Sequence, residues 1–289
     1  MVTPVDPARG GPFKGDAMSA WNFMSYESKG NLLQAVRREA EGMFALAETP
    51  DNWTAPTGAG HWQVRDVFGH LIDTTETYFI GFDAARGDCD PPPSVPLINM
   101  ATHVDVGAQQ FRVLDQAAVL ERLRIAFDKM FGISEAMTEE EWGGLLVTHK
   151  YMGPLPAFFY PAFQLVDYAV HSWDIRQGTG VPHALEARSA DLLVPLSFVL
   201  WSATPTVGPD TEPIELGVRI IAGENAGDTR ITVGPGGLTT TPESVEGISP
   251  VIEFDPASFV LTAFGRTNAG TVRGDLELAH RFLGGFFRI

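Results

Sequence analysis

The sequence predicts an α+β protein, with a bundle of long helices ahead of a small mixed α+β domain. Three observations carry that prediction. Up to about residue 204, apolar residues recur at three- and four-residue steps, the spacing of a single helix face. Beyond Pro205 the chain turns to short β-branched runs separated by Gly, Pro, Asn and Asp, which reads as strands and turns. With 289 residues, 44% hydrophobic and 19% charged, the chain is long and apolar enough to bury a core in each part.

The elements follow in order. NLLQAVRREAEGMFALA, within about 27–48, is the first expected helix. The second runs from about 62 to 86, after the Gly-rich break PTGAGH. DPPPSVPLINM (90–100) is excluded from helix by its prolines. A third helix spans about 114–136, and Thr138 with Glu141 three residues on forms a capping box that opens a short one. GPLP (153–156) interrupts the chain. A fourth long helix runs from about 157 to 178 and stops at Gly178 and Gly180. A fifth, ARSADLLVPLSFVLWSAT, covers 187–204. IELGVRIIA, TRITVG, LTTTP, VIEFD and FVLTAFG are then expected strands, and DLELAHRFLGGFF a closing helix. The resulting division is a Pro- and Gly-rich leader over 1–23, expected to be disordered, a bundle over 24–204, a linker TPTVGPDTEP, and a small domain over 210–289.

Charge narrows the function. The formal net charge is −16, from 36 acidic and 20 basic residues, which opposes binding to phosphate backbones and anionic lipid surfaces. LLVPLSFVLW (192–201) is about half the roughly 20 residues that span a bilayer, and the N-terminal stretch lacks the pattern of a secretory signal. The single cysteine, Cys89, allows no internal disulfide. Its acidic neighbours in RGDCDPPPS would raise a thiol pKa, so it is a poor nucleophile. These features describe a soluble cytoplasmic protein without nucleic-acid or membrane partners.

Two octets carry the chemistry, DVFGHLID (66–73) and DYAVHSWD (167–174). Each reads Asp-x-x-x-His-x-x-Asp inside an expected helix. At about 100° per residue, positions i, i+4 and i+7 fall within roughly 60° of one another. Asp66, His70 and Asp73 therefore share one face, as do Asp167, His171 and Asp174. Facing helices of a bundle build metal sites from such inward stripes. Imidazole nitrogens with a carboxylate suit zinc, and equally iron, nickel or manganese. Surplus aspartates can hold the far ring nitrogens. Each octet alone also fits a buried histidine with an ordinary hydrogen-bond partner. The pair favours a cation, since several buried carboxylates without one are expensive. Trp62 and Trp173 are expected to pack in the core, and His103, His149, His183 and His280 to lie on the surface or in loops.

With their contexts, WQVRDVFGHL (62–71) and VDYAVHSWDIRQGTG (166–180), the octets resemble the mycothiol-dependent maleylpyruvate isomerase family. That family belongs to the DinB-like metal-binding four-helix bundles and is found largely in actinobacteria. FGRTNAG and VRGDLELAHRFL are similar to the sterol-carrier-like domain that often follows the bundle. The resemblance covers nearly the whole chain beyond the leader. It implies an up-and-down DinB-like bundle, a divalent metal held by His70, Asp167 and His171, and Asp66, Asp73 and Asp174 behind them. Asp167 stands where the family usually has Glu, one methylene longer. The resemblance further implies that Arg266, with Arg273 as the alternative, holds an anionic substrate.

The implied activity is that of an enzyme whose metal activates a low-molecular-weight thiol such as mycothiol. The thiol would add to a small electrophile, giving isomerisation or S-transfer. Two other readings stay open: the same triad activating water, as in a hydrolase or lyase, and a binding module without chemistry. Residues 87–112 are expected to line the entrance.

Overall fold

The computed structural model describes residues 19–48, 52–181 and 183–289. It divides into two compact units, Phe23–Leu185 with Ile289, and Glu186–Arg288 with the described residues up to Asn22. Each unit has its own core.

The first unit is built on four long helices, α1 (Lys29–Ala47), α2 (Val64–Arg86), α4 (Gln116–Ala136) and α6 (Phe159–Thr179), with α3 (Met100–Gln109) and α5 (Glu139–Gly144) between them. α1 packs along α6, and α2 packs against α4 and α3. Local chemistry sets the ends. The Asp66 carboxylate accepts the Gln63 N–H at 2.9 Å across the start of α2, which stops at Gly87 with φ 87°. Asp115 accepts from the Ala118 N–H at the start of α4, Thr138 and Glu141 form the expected capping box of α5, and Gly180 ends α6 with φ 71°.

Sequence periodicity did not reveal α3. Its residues over 100–109 are mostly exposed or half-buried, with Ala108 alone fully buried, so no strong apolar stripe marks it. It sits close to α2 because Gly69 leaves room: a Cβ there would lie 2.3 Å from the Ala108 carbonyl oxygen. GPLP is not a plain break either. It forms β2 (Gly153–Pro156), paired antiparallel with β1 (Leu146–His149) in a hairpin. The Tyr160 hydroxyl donates to the Val147 carbonyl at 3.0 Å and fixes the hairpin to α6.

In the second unit a five-stranded sheet has the order β5-β4-β3-β6-β7. Its strands are β3 (Ile214–Ile220), β4 (Gly227–Gly234), β5 (Gly237–Thr241), β6 (Val251–Phe254) and β7 (Thr271–Arg273). β3 and β6 run parallel and the other neighbours antiparallel. α7 (Ala187–Ala203), α8 (Pro256–Ala263) and α9 (Leu276–Leu283) complete the unit.

Three expectations are corrected. FVLTAFG belongs to α8 rather than to a strand. Asp255 accepts from the Ser258 N–H at 3.1 Å and Pro256 opens the helix, a start signal that outweighs β-branched content. The expected bundle boundary near 204 moves to Glu186, because Val194, Phe198 and Trp201 of α7 are buried in the core of the sheet. Trp201 packs there among Phe254, Phe259, Phe282 and Phe286. The expected disordered leader lies outside the described residues over 1–18. Its last member, Phe23, is fully buried against Phe158 and Phe159.

Candidate metal centre

The stripe of α2 carrying His70 and the stripe of α6 carrying Asp167 and His171 meet inside the first unit. One possible ligand atom from each of His70, Asp167 and His171 lies within 4.8 Å of the others. His70 Nε2 stands 3.6 Å from Asp167 Oδ1, and the two imidazole rings are 5.0 Å apart, edge to face. Both histidines are buried, while Asp167 keeps 17% of its side chain exposed.

The far ring nitrogens are engaged. His171 Nδ1 donates to Asp174 Oδ2 at 2.9 Å, and Asp174 is completely buried. His70 Nδ1 lies 3.2 Å from the Thr74 hydroxyl. The Asp174 carboxylate calls for a proton on His171 Nδ1, and with both Nδ1 atoms engaged the Nε2 atoms are the nitrogens left to bind a cation. A loop forms the roof. The Gly58 N–H donates to the Asp174 carbonyl at 2.7 Å, and Thr57 bonds to the Trp62 carbonyl through both its N–H and its hydroxyl. Gly178 permits this approach, since a Cβ there would fall 2.0 Å from the Pro56 carbonyl oxygen. The loop so held lays the Trp62 ring 5.2 Å from His70 and 5.9 Å from His171.

Trp62 is therefore a wall of the site as well as a core residue. Its indole N–H donates to Asp105 Oδ1 at 2.8 Å, and Gln109 and His61 also reach that oxygen. These bonds, the one from Trp62 foremost, hold the Asp105 carboxyl below the usual range. Sequence reading missed Asp105 because α3 itself was missed. Position alone could have flagged Trp62, which lies just ahead of α2 and eight residues before His70.

The other aspartates of the octets face elsewhere. Asp66 is fully buried, and burial alone would raise its pKa. The Arg112 guanidinium, at 2.6 and 2.7 Å, and the Gln63 N–H hold it lower instead. Asp73 accepts from Gln110 Nε2 at 3.0 Å and lies against Gly107 of α3. Of the three aspartates expected behind the ligands, only Asp174 meets a triad histidine.

His149 is corrected from surface to interior. It is 6% exposed, on β1, and burial pushes its pKa down to about 4 against the opposing charge of Asp167. Arg266 belongs to the other unit, in the turn after α8 rather than at a strand end, where its guanidinium donates to the Phe264 carbonyl at 2.8 Å. Arg273 pairs with Glu253 on the sheet at 2.9 Å. Cys89 is exposed. No helix among the described residues is long and apolar enough to cross a membrane.

The donor set fits a divalent cation: two imidazoles and a carboxylate, with one imidazole oriented by a buried carboxylate. Comparison with known proteins agrees on the fold. The model of the mycothiol maleylpyruvate isomerase N-terminal domain matches residues 33–176. Among solved structures, a mycothiol-dependent maleylpyruvate isomerase superposes with a TM-score of 0.54 at 14% identity, covering 86% of this chain and 94% of that one. A histidine-to-alanine mutant of a mycothiol-dependent maleylpyruvate isomerase gives a TM-score of 0.56 at 13% identity with the same coverage. No curated protein matches the chain. Residues 33–176 therefore belong to the mycothiol maleylpyruvate isomerase N-terminal domain family.

Proposed function

We propose that this protein is a divalent-metal enzyme that uses a low-molecular-weight thiol of the mycothiol type on a small, electrophilic, anionic substrate, by isomerisation or S-transfer. The convergence of His70, Asp167 and His171 within 4.8 Å carries the reading. Three protein ligands are the number that leaves a catalytic zinc a position for another group. Zinc is the favoured ion. A cation bound there would hold a thiol as its thiolate, the reactive nucleophile, near neutral pH.

The chain's own residues do the rest. Asp174 keeps the proton of His171 on Nδ1, and the Thr74 hydroxyl bonds to Nδ1 of His70, so both rings are oriented before any ligand arrives. Trp62 covers one side of the two imidazoles and keeps bulk water from that face. No protein nucleophile is required, in keeping with an exposed Cys89. The family resemblance gives Arg266 the task of holding the anionic group of the substrate.

The test is metal content. Purified protein reconstituted with zinc is expected to hold one equivalent, and His70→Ala and His171→Ala to hold far less. Wild type without stoichiometric metal would sink the proposal. The spectrum of cobalt-substituted protein is then expected to change on adding mycothiol. A spectrum indifferent to thiol, beside hydrolysis of an activated ester, would favour metal-activated water.

A further inference from the structure

The hairpin β1–β2 carries a buried histidine that the triad does not use. The His149 ring is walled by Tyr78, Tyr151, Tyr160 and Phe163, with centroids 5.9, 5.8, 6.3 and 5.3 Å away. Its Nδ1 accepts the backbone N–H of Tyr151 at 3.4 Å. A neutral imidazole accepting at Nδ1 carries its proton on Nε2, and burial keeps this one neutral. The Nε2–H has no partner among the described residues. The nitrogen is not sealed from solvent, so an acceptor entering from that side can bond it.

Its position follows from helical spacing. Phe163, Asp167 and His171 lie at four-residue steps on α6, and His70, Thr74 and Tyr78 at the same steps on α2. The two stripes join at their far ends, where Tyr78 and Phe163 are 6.3 Å apart. His149 packs on both of those rings, and Phe163 stands one helical turn, about 6 Å, from Asp167 along α6. The charge of Asp167 acts on His149 and on Tyr78 alike. Burial pushes the phenols of Tyr78 and Tyr151 upward, the latter to about 12, so they too stay neutral.

We propose that His149 is a substrate-binding residue whose Nε2–H donates to a carboxylate or carbonyl oxygen of a planar, unsaturated acid lying beside the triad. Flat aromatic walls suit a conjugated acid, and a neutral donor takes its oxygen without needing a counter-charge. The proposal deepens the metal–thiol reading and rests on it for the identity of the site.

Maleate is the probe, titrated calorimetrically into wild type, His149→Phe and His149→Gln, each with and without zinc. Phe fills the space without a donor, whereas Gln restores an N–H. Maleate is expected to bind wild type, to bind His149→Phe about tenfold or more weakly, and to recover most of its affinity with His149→Gln. Zinc stoichiometry and the cobalt response to thiol should be unchanged in both variants. Equal maleate affinity in wild type and His149→Phe overturns the proposal, as does a wild type that binds no maleate in either metal state. Failure of wild type to take up zinc would remove the metal–thiol reading alone, because the zinc-free titrations still decide the role of His149.

Discussion

Asp174 sits 2.9 Å from Nδ1 of His171, fully buried and one helical turn beyond it. The bond decides which nitrogen of His171 can serve a metal, and its carboxylate raises the basicity of that nitrogen. Asp174→Asn keeps the shape and removes the charge. Zinc affinity is expected to fall by about 10- to 100-fold, with melting temperature little changed, measured by competition with a chelating dye.

Asp167 is the ligand candidate with the most solvent access, and it is one methylene shorter than the family's usual Glu. If Asp167 binds the ion directly, Asp167→Glu alters zinc affinity or the ligand-field bands of the cobalt protein. Identical affinity and spectra would show that the carboxylate is not a ligand.

Asp66 serves stability rather than the metal. Its folded pKa lies below the ordinary 3.8, so its contribution is complete above 3.8 and is lost as pH falls through the folded value. Asp66→Asn leaves Arg112, itself partly exposed, without its bidentate partner. The expected loss is about 2 kcal/mol at pH 7 by urea denaturation, below the full penalty of a broken buried pair because Arg112 reaches water. The difference from wild type should shrink toward pH 3.

His149 gives a second, separable pH signature. Its folded value of about 4 lies below the unfolded value of 6.5, so between them the unfolded chain binds more protons than the folded one. Stability from this residue is intact above pH 6.5, falls as pH drops through the window, and is lost in full below about 4. The span amounts to about 3 kcal/mol. Unfolding curves of His149→Phe are expected to fall less steeply over pH 6.5 to 4. Parallel curves would show that His149 is not held neutral.

How much of this was legible beforehand differs by residue. The stripe relating Asp167, His171 and Asp174 is local, since 100° per residue puts them on one face of any helix they form. The long helices, the capping box at Thr138 and the family resemblance were likewise readable. Asp66 and Asp73 share the same spacing logic, yet Arg112 and Gln110, 46 and 37 residues away, claim their carboxylates. FVLTAFG misled because propensity was weighed above the Asp-Pro start that precedes it.

The sequence by itself determined the helical bundle, the change of texture after Pro205 and the two Asp-His-Asp stripes, because each depends on residues within a few turns of one another, while the choice of His70, Asp167 and His171 rested on the family resemblance. Tertiary structure alone decided that α7 joins the sheet, that Trp62 roofs the two histidines, that Asp105 and α3 brace that roof, and that His149 lies buried beyond Asp167. Those outcomes depend on which surfaces find complementary partners far along the chain. Glycines at 69 and 178 permit such approaches, but nothing local in the sequence names the backbone that arrives.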